Sequence, residues 1–132
     1  MKILFVCRGN VGRSQAAMAL YNGNAEEKSL SAGTIVGDET RTVGERELAT
    51  SIVQVMKEEG LDISKNTSTQ IIPEMMGDFD KVIVMAELYS VPDWLKDNPK
   101  TEIWEIPDLK GVSVEEARET VALIKSKLQG LE

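Results

Sequence analysis

Four consecutive apolar residues, Ile3-Leu4-Phe5-Val6, run directly into Cys7-Arg8-Gly9-Asn10-Val11-Gly12-Arg13-Ser14. An unbroken apolar run feeding a glycine-bearing turn predicts a buried strand at about residues 2–6 and a tight loop over 7–12. Ser14 to Tyr21 is rich in helix formers and free of Gly and Pro, which predicts a helix from about 13 to 22. A cysteine at the end of such a strand faces the helix N-terminus, where backbone N–H groups and the helix dipole stabilise negative charge. The same geometry attracts phosphate-like anions. Arg13, six positions after Cys7, can curl back and offer a planar fork to two oxygens of one oxyanion.

The rest of the chain alternates in the same way. Asn22-Gly23-Asn24 is expected to end the first helix in a left-handed cap, and Leu30 to Thr34 reads as a short second strand. Thr42 to Glu59 reads as one helix, with Leu48, Ile52, Val55 and Met56 at helical spacing and Gly60 as its stop. A polar stretch from Lys65 to Gln70 precedes a short helix through Glu74-Met75-Met76. Lys81 to Met85 is the clearest strand, β-branched and apolar. Glu87 to Asn98 is mixed, with Pro92 near the start of a short helix, and Thr101 to Ile106 is a fourth strand closed by Pro107. Ser113 and Glu116 form a capping box for a last helix, buried along Val114, Ala117, Val121, Ile124 and Leu128. Strands alternating with helices predict a single α/β domain over residues 1–132, in three layers, with a four-stranded parallel sheet flanked by helices on both faces. Ligands of such sheets bind at the carboxyl ends of the strands, where Cys7 and Asp108 would meet.

Composition removes several alternatives. The 132 residues carry a net charge of −7 and no lysine/arginine stripe, which argues against a nucleic-acid partner. There is no histidine, so Ser-His-Asp and Cys-His catalysis and the usual zinc sites are excluded, and acid/base work falls to carboxylates. No metal or organic cofactor is implied. One cysteine allows no internal disulfide and fits a reducing compartment. With no apolar run of membrane-spanning length and no signal-peptide pattern, the expectation is a cytoplasmic protein without a membrane partner. Asn66-Thr67-Ser68 matches a glycosylation acceptor and is read as chance.

A lone cysteine is most often a small buried hydrophobe. Here Cys7 stands in Cys-x5-Arg-Ser with Gly9 and Gly12 inside the loop, and that joint pattern favours a nucleophile. The segment Val6 to Ser14 resembles the active-site loop of the low-molecular-weight protein tyrosine phosphatases, whose fold and loop the thioredoxin-linked arsenate reductases share. Ser31-Ala32-Gly33-Thr34 resembles the family segment packed beside that loop, and Ile106-Pro107-Asp108 resembles its late aspartate loop.

The resemblance implies a cysteine-dependent phosphomonoesterase, a protein tyrosine phosphatase of the low-molecular-weight type, acting on a phosphorylated protein or a small aryl phosphate and releasing inorganic phosphate. Cys7 would attack phosphorus in line, and Arg13 would hold the equatorial oxygens. Ser14 would donate to the thiolate, and Asp108 would be the general acid and base. Arg8, Gly9, Asn10, Val11 and Gly12 would bind the substrate. Within that set Asn10 would tie the loop together and Arg8 would line the pocket mouth. Ser31 would support the loop through Asn10. Glu87 and Asp93 are less well placed as the acid.

The chain also departs from the family pattern. Leu109-Lys110-Gly111 follows Asp108 with neither proline nor aromatic, and Ile35-Val36-Gly37-Asp38 stands where an aromatic is usual. These departures bear on phosphotyrosine preference rather than on phosphate-ester chemistry. Gly12 stands where many members carry a second, protective cysteine. The arsenate reductase branch is the alternative activity, but it needs further cysteines that Ala86 to Ser90 do not supply, so only an external thiol could complete its cycle. A non-catalytic oxyanion-binding module on the same fold is the third reading.

Overall fold

The strand that leads into the cysteine loop is apolar on both faces because it lies inside the sheet. The computed structural model describes residues 1–23 and 27–131. Its strands are β1 Ile3–Cys7, β2 Leu30–Gly33, β3 Lys81–Val84 and β4 Thr101–Ile103, and its helices are α1 Arg13–Asn22, α2 Thr50–Glu58, α3 Asp93–Lys96 and α4 Val114–Gln129. All strand pairs are parallel, in the order β2-β1-β3-β4. The order reverses at β1, so the crevice at the carboxyl ends of β1 and β3 is the switch point.

Side-chain alternation divides the core into two layers. Ile3, Phe5, Ile83 and Met85 pack with Ala16 and Ala17 of α1, Ile52, Val55 and Met56 of α2, and Ala117, Val121 and Ile124 of α4. Leu4, Val6, Val82 and Val84 face the other way, onto Ile71, Met76, Phe79, Val91 and Leu95. The second face is therefore covered by a 3-10 turn, Pro73–Asp78, and the one-turn α3 rather than by long helices. The fold is the expected single-domain α/β layer structure with a four-stranded parallel sheet. Among the described residues no helix is long and apolar enough to cross a membrane.

Three local expectations are corrected. The helix expected over Thr42 to Glu59 is two 3-10 turns, Val43–Glu45 and Glu47–Ala49, before α2 begins at Thr50. Tertiary contacts override propensity there. The N–H groups of Val43 and Gly44 donate to the carbonyls of Asn66 and Ser64, and Leu48, expected on the buried stripe, is 52% exposed. The strand expected from Thr101 to Ile106 stops at Ile103, with one further bond from Trp104 N–H to the Val84 carbonyl. Beyond it the Arg13 guanidinium enters between the strand ends and takes the Met85 and Ile106 carbonyls. Gly23 caps α1 in a right-handed conformation, φ −41°. Asn22 turns its side chain onto both backbone groups of Ser29 instead, and Asn24 lies outside the described residues.

The remaining end signals agree with the sequence. Gly60 adopts φ +81° after α2, and Ser113 and Glu116 form both halves of their capping box.

Candidate active site

The chain leaves β1 at Cys7 and enters α1 at Arg13, with the Gly12 carbonyl accepting the first helical bond from Ala16 N–H at 2.9 Å. Among the described residues, no backbone N–H of residues 8–12 donates to a protein acceptor. A loop of unsatisfied amides at a helix N-terminus is a ready anion site. Asn10, at φ 55°, supplies the left-handed kink that makes this curl possible. Gly33 lets β2 come close enough to support it. A Cβ at that position would lie 2.7 Å from the Arg8 carbonyl oxygen and 2.9 Å from Asn10 N.

Cys7 is buried, and its Sγ lies 3.0 Å from Ser14 Oγ. The direction of that contact follows from its neighbours. Thr69 N–H donates to Asn10 Oδ1 at 2.9 Å, which turns the Asn10 Nδ2 group toward Ser14 Oγ at 2.7 Å. Ser14 Oγ thus accepts from Asn10, and its own proton is left for Cys7 Sγ. The relay from Thr69 through Asn10 and Ser14 presents a donor to the sulfur.

Arg13 is fixed by its end-on edge. Nη1 donates to Glu87 Oε2 at 2.9 Å, Met85 O at 2.7 Å and Ile106 O at 3.2 Å, while Nη2 donates to Glu87 Oε1 at 3.1 Å. Nε has no protein acceptor among the described residues, yet no buried side-chain nitrogen or oxygen lacks a partner. Nε therefore retains access to the cavity that Arg13 lines. The Nε/Nη2 edge is the one left for a ligand. Burial works against the charge on Arg13. The hydrogen bond to Glu87 and the nearby Cys7, Glu87 and Asp108 outweigh it, and the pKa is raised. The same hydrogen bond is the leading cause of the lowered pKa of Glu87.

Cys7, Arg8, Gly9, Val11, Gly12 and Arg13 line a cavity of about 500 Å³ that also reaches Asp108, Leu109, Lys110, Ile35 and residues 46–49. Asp108 sits between two cations, 3.7 Å from Arg8 Nη2 and 3.9 Å from Arg13 Nη2, with its side chain 43% exposed. Its loop is tied to the start of α2 by Gly111 N–H to the Leu48 carbonyl and by Ser51 Oγ to the Val112 carbonyl. Among the described residues no aromatic side chain lines the cavity. Its apolar wall is aliphatic, from Val11, Ile35, Leu48, Ile52 and Leu109. A Cβ on Gly12 would lie 3.0 Å from Leu109 Cβ, so a cysteine there would require Leu109 to move.

The sequence residues Cys7, Arg8, Gly9, Asn10, Val11, Gly12, Arg13, Ser14 and Asp108 are thus gathered around one cavity or its supporting relay. Ser31 is not. It makes no hydrogen bond to Asn10, whose Oδ1 accepts from Thr69 N–H, whose Nδ2 donates to Ser14 Oγ and whose carbonyl accepts from Gln15 and Ser68. Asp93 pairs with Lys96 at the surface, its side chain 88% exposed. Several supporting residues were missed, Thr69 and Ser68 beside Asn10 among them. Glu87 holds Arg13, and its place just after the strongest strand was the available signal. Tyr89 accepts a hydrogen bond from Arg8 at the mouth, and Gln15 binds the Asn10 carbonyl; neither carries a sequence signal of its role.

This loop at the switch point of a four-stranded parallel sheet characterises the cysteine-based phosphatase fold. Within that class, residues 2–132 match the family described as low molecular weight phosphotyrosine protein phosphatase, and the chain belongs to that family. It is 31% identical over 132 residues to the glutaredoxin arsenate reductase of Synechocystis sp., covering 98% of this chain and 95% of that protein. Among solved structures it is similar to a low molecular weight protein tyrosine phosphatase from T. tengcongensis, with 25% identity, a TM-score of 0.78, and 99% and 97% of the two chains covered. An arginine phosphatase from Geobacillus stearothermophilus matches at 25% identity and a TM-score of 0.75, covering 98% of this chain and 89% of that one.

Proposed function

We propose that the protein is a cysteine-dependent phosphomonoesterase, acting on a phosphorylated protein or a small aryl phosphate. The observation that carries this reading is the Cys7–Arg13 loop, whose unpartnered amides and free Arg13 edge surround the space beside the sulfur. A phosphoryl group seated there would receive its equatorial oxygens on the N–H groups of residues 8–12 and on Nε and Nη2 of Arg13. The Cys7 thiolate would attack phosphorus while Asp108 delivers a proton to the departing oxygen. Water, deprotonated by Asp108, would then split phosphocysteine. Ser14 would stabilise the returning thiolate and ease its departure, and inorganic phosphate would leave. The aliphatic wall accommodates an aryl group by contact without stacking. A lone thiol that must stay reduced suits the cytoplasm.

The test is steady-state hydrolysis of p-nitrophenyl phosphate under reducing conditions. Cys7→Ser should abolish turnover, and Asp108→Asn should lower kcat by about 10²–10⁴-fold. Activity that persists in Cys7→Ser refutes the reaction, and wild-type activity in Asp108→Asn refutes the assignment of the acid.

A second reading has its own support in the identity with the glutaredoxin arsenate reductase. Arsenate would form an adduct on Cys7, and an external thiol would release arsenite and leave a mixed disulfide on Cys7. A second external thiol would restore the sulfur, so two thiols are oxidised for each As(V) reduced to As(III). Arsenite production that requires glutathione with glutaredoxin, without phosphate-ester turnover, would favour this reading.

A further inference from the structure

The Asn66-Thr67-Ser68 segment has a place in the structure that glycosylation does not explain. It lies outside the cysteine loop, and none of its three residues lines the cavity. The Asn66 carbonyl accepts from Val43 N–H at 2.8 Å, Thr67 bridges to Thr42, and Thr69 O accepts from Gly33 N–H at 2.8 Å. The segment is thus anchored by its own backbone at both ends, independently of α1.

Gln15, 1% exposed, connects this segment to the loop. Its Nε2 donates to the Asn10 carbonyl at 3.0 Å and to the Thr67 carbonyl at 3.1 Å, and its Oε1 accepts from Asn66 Nδ2 at 3.0 Å. Ser68 Oγ gives the Asn10 carbonyl a second donor at 2.9 Å. Every polar group of the Gln15 amide is used, and the two backbone carbonyls, which can only accept, fix which way round that amide lies.

We propose that Gln15 and Ser68 are positioning residues for oxyanion binding, acting by holding the Asn10 carbonyl outward. The peptide between Asn10 and Val11 is trans and planar, so its C=O and N–H point to opposite sides. Asn10 is fully buried and does not line the cavity, whereas Val11 does. A carbonyl pinned to Gln15 and Ser68 therefore directs Val11 N–H toward the side where the cavity lies. Released, that peptide can rotate and bring a carbonyl dipole to bear on the same anion, replacing a donor with a repulsive acceptor.

The inference rests on the oxyanion reading of the loop, and its test keeps the two separable. The rate of Cys7 alkylation by iodoacetamide is followed from pH 4 to 9, with and without inorganic phosphate, in wild type, Gln15→Met and Ser68→Ala. Melting temperatures are recorded alongside. Each variant should need about 3- to 10-fold more phosphate to protect Cys7, the loss expected for one hydrogen bond. Combining the two substitutions should cost more than the product of the single effects, since the second removes the last donor. A lower melting temperature with phosphate protection unchanged would overturn the proposal and leave Gln15 a structural brace. Should Gln15→Met fail to fold, Ser68→Ala decides the matter alone, because its hydroxyl is outside α1. Absence of phosphate protection in wild type would overturn the oxyanion reading itself, and the clamp with it.

Discussion

Replacing Glu87 by Gln removes the charge from the acceptor that orients Arg13. The Arg13 side chain is 4% exposed and that of Glu87 34%, so the pair is half inside the protein. Nη1 would keep the Met85 and Ile106 carbonyls, but Nη2 has only Glu87 Oε1 as a hydrogen-bond partner among the described residues. Hydrogen bonds to charged groups contribute about 1.5–3 kcal/mol, and exposure of the carboxylate argues for the lower end, about 1–2 kcal/mol. In a domain of this size that lowers Tm by about 3–8 °C. The catalytic loss should be larger in proportion, because Nη2 belongs to the edge left open for a ligand. A drop in kcat/KM of about 10–100-fold is expected, with similarly weakened phosphate inhibition.

The pair also sets a pH dependence. Glu87 has a lowered pKa, so its contribution is complete above the ordinary carboxylate range and is lost as pH falls through the lowered value. The Tm gap between wild type and Glu87→Gln should accordingly narrow in acid. Calorimetry and p-nitrophenyl phosphate kinetics together decide the case. A Tm loss with unchanged kcat/KM would show that Glu87 stabilises the fold without orienting the arginine. Wild-type behaviour in both would refute the pairing argument altogether.

Other perturbations test the supports of the two loops. Ser51→Ala removes the 2.6 Å bond to the Val112 carbonyl, one of the ties on the Asp108 loop. Hydrolysis of phenyl phosphate should fall by about 3- to 10-fold and that of p-nitrophenyl phosphate by less, since a poor leaving group depends more on the acid. Equal losses on both substrates would argue against control of the acid. Gly33→Ala puts a methyl 2.7 Å from the Arg8 carbonyl, so backbone must shift. A cost of about 1–3 kcal/mol is expected by thermal unfolding, with weaker phosphate binding. A fully wild-type variant would show that β2 does not brace the loop.

Much of this arrangement was legible because the chemistry is local. Cys7, Asn10, Arg13 and Ser14 lie within one strand–loop–helix unit, and their spacing alone brings them to one turn. Strand alternation then carried Asp108 to the same sheet edge from far along the chain. What escaped the sequence depends on tertiary contacts between irregular segments. Glu87 stands just after a strand that is plain in the sequence, and only the fold shows that Arg13 enters at that strand's end. Residues 42–49 have helical composition, but Val43 and Gly44 spend their amides on Asn66 and Ser64, and 3-10 turns result. Ser31 was placed beside Asn10 by resemblance, while in this chain Thr69 N–H and the Ser14 hydroxyl fill the asparagine side chain. Tyr89 reaches the mouth only through Arg8, a contact between loops that periodicity does not encode.

The most direct measurement is mass spectrometry of acid-quenched turnover, mapping any phosphoryl group on the chain. The expected result is a phosphoryl adduct on the peptide that carries Cys7, present during turnover and absent from Cys7→Ser. Hydrolysis that proceeds without such an adduct, or that survives Cys7→Ser, would contradict nucleophilic catalysis by this loop.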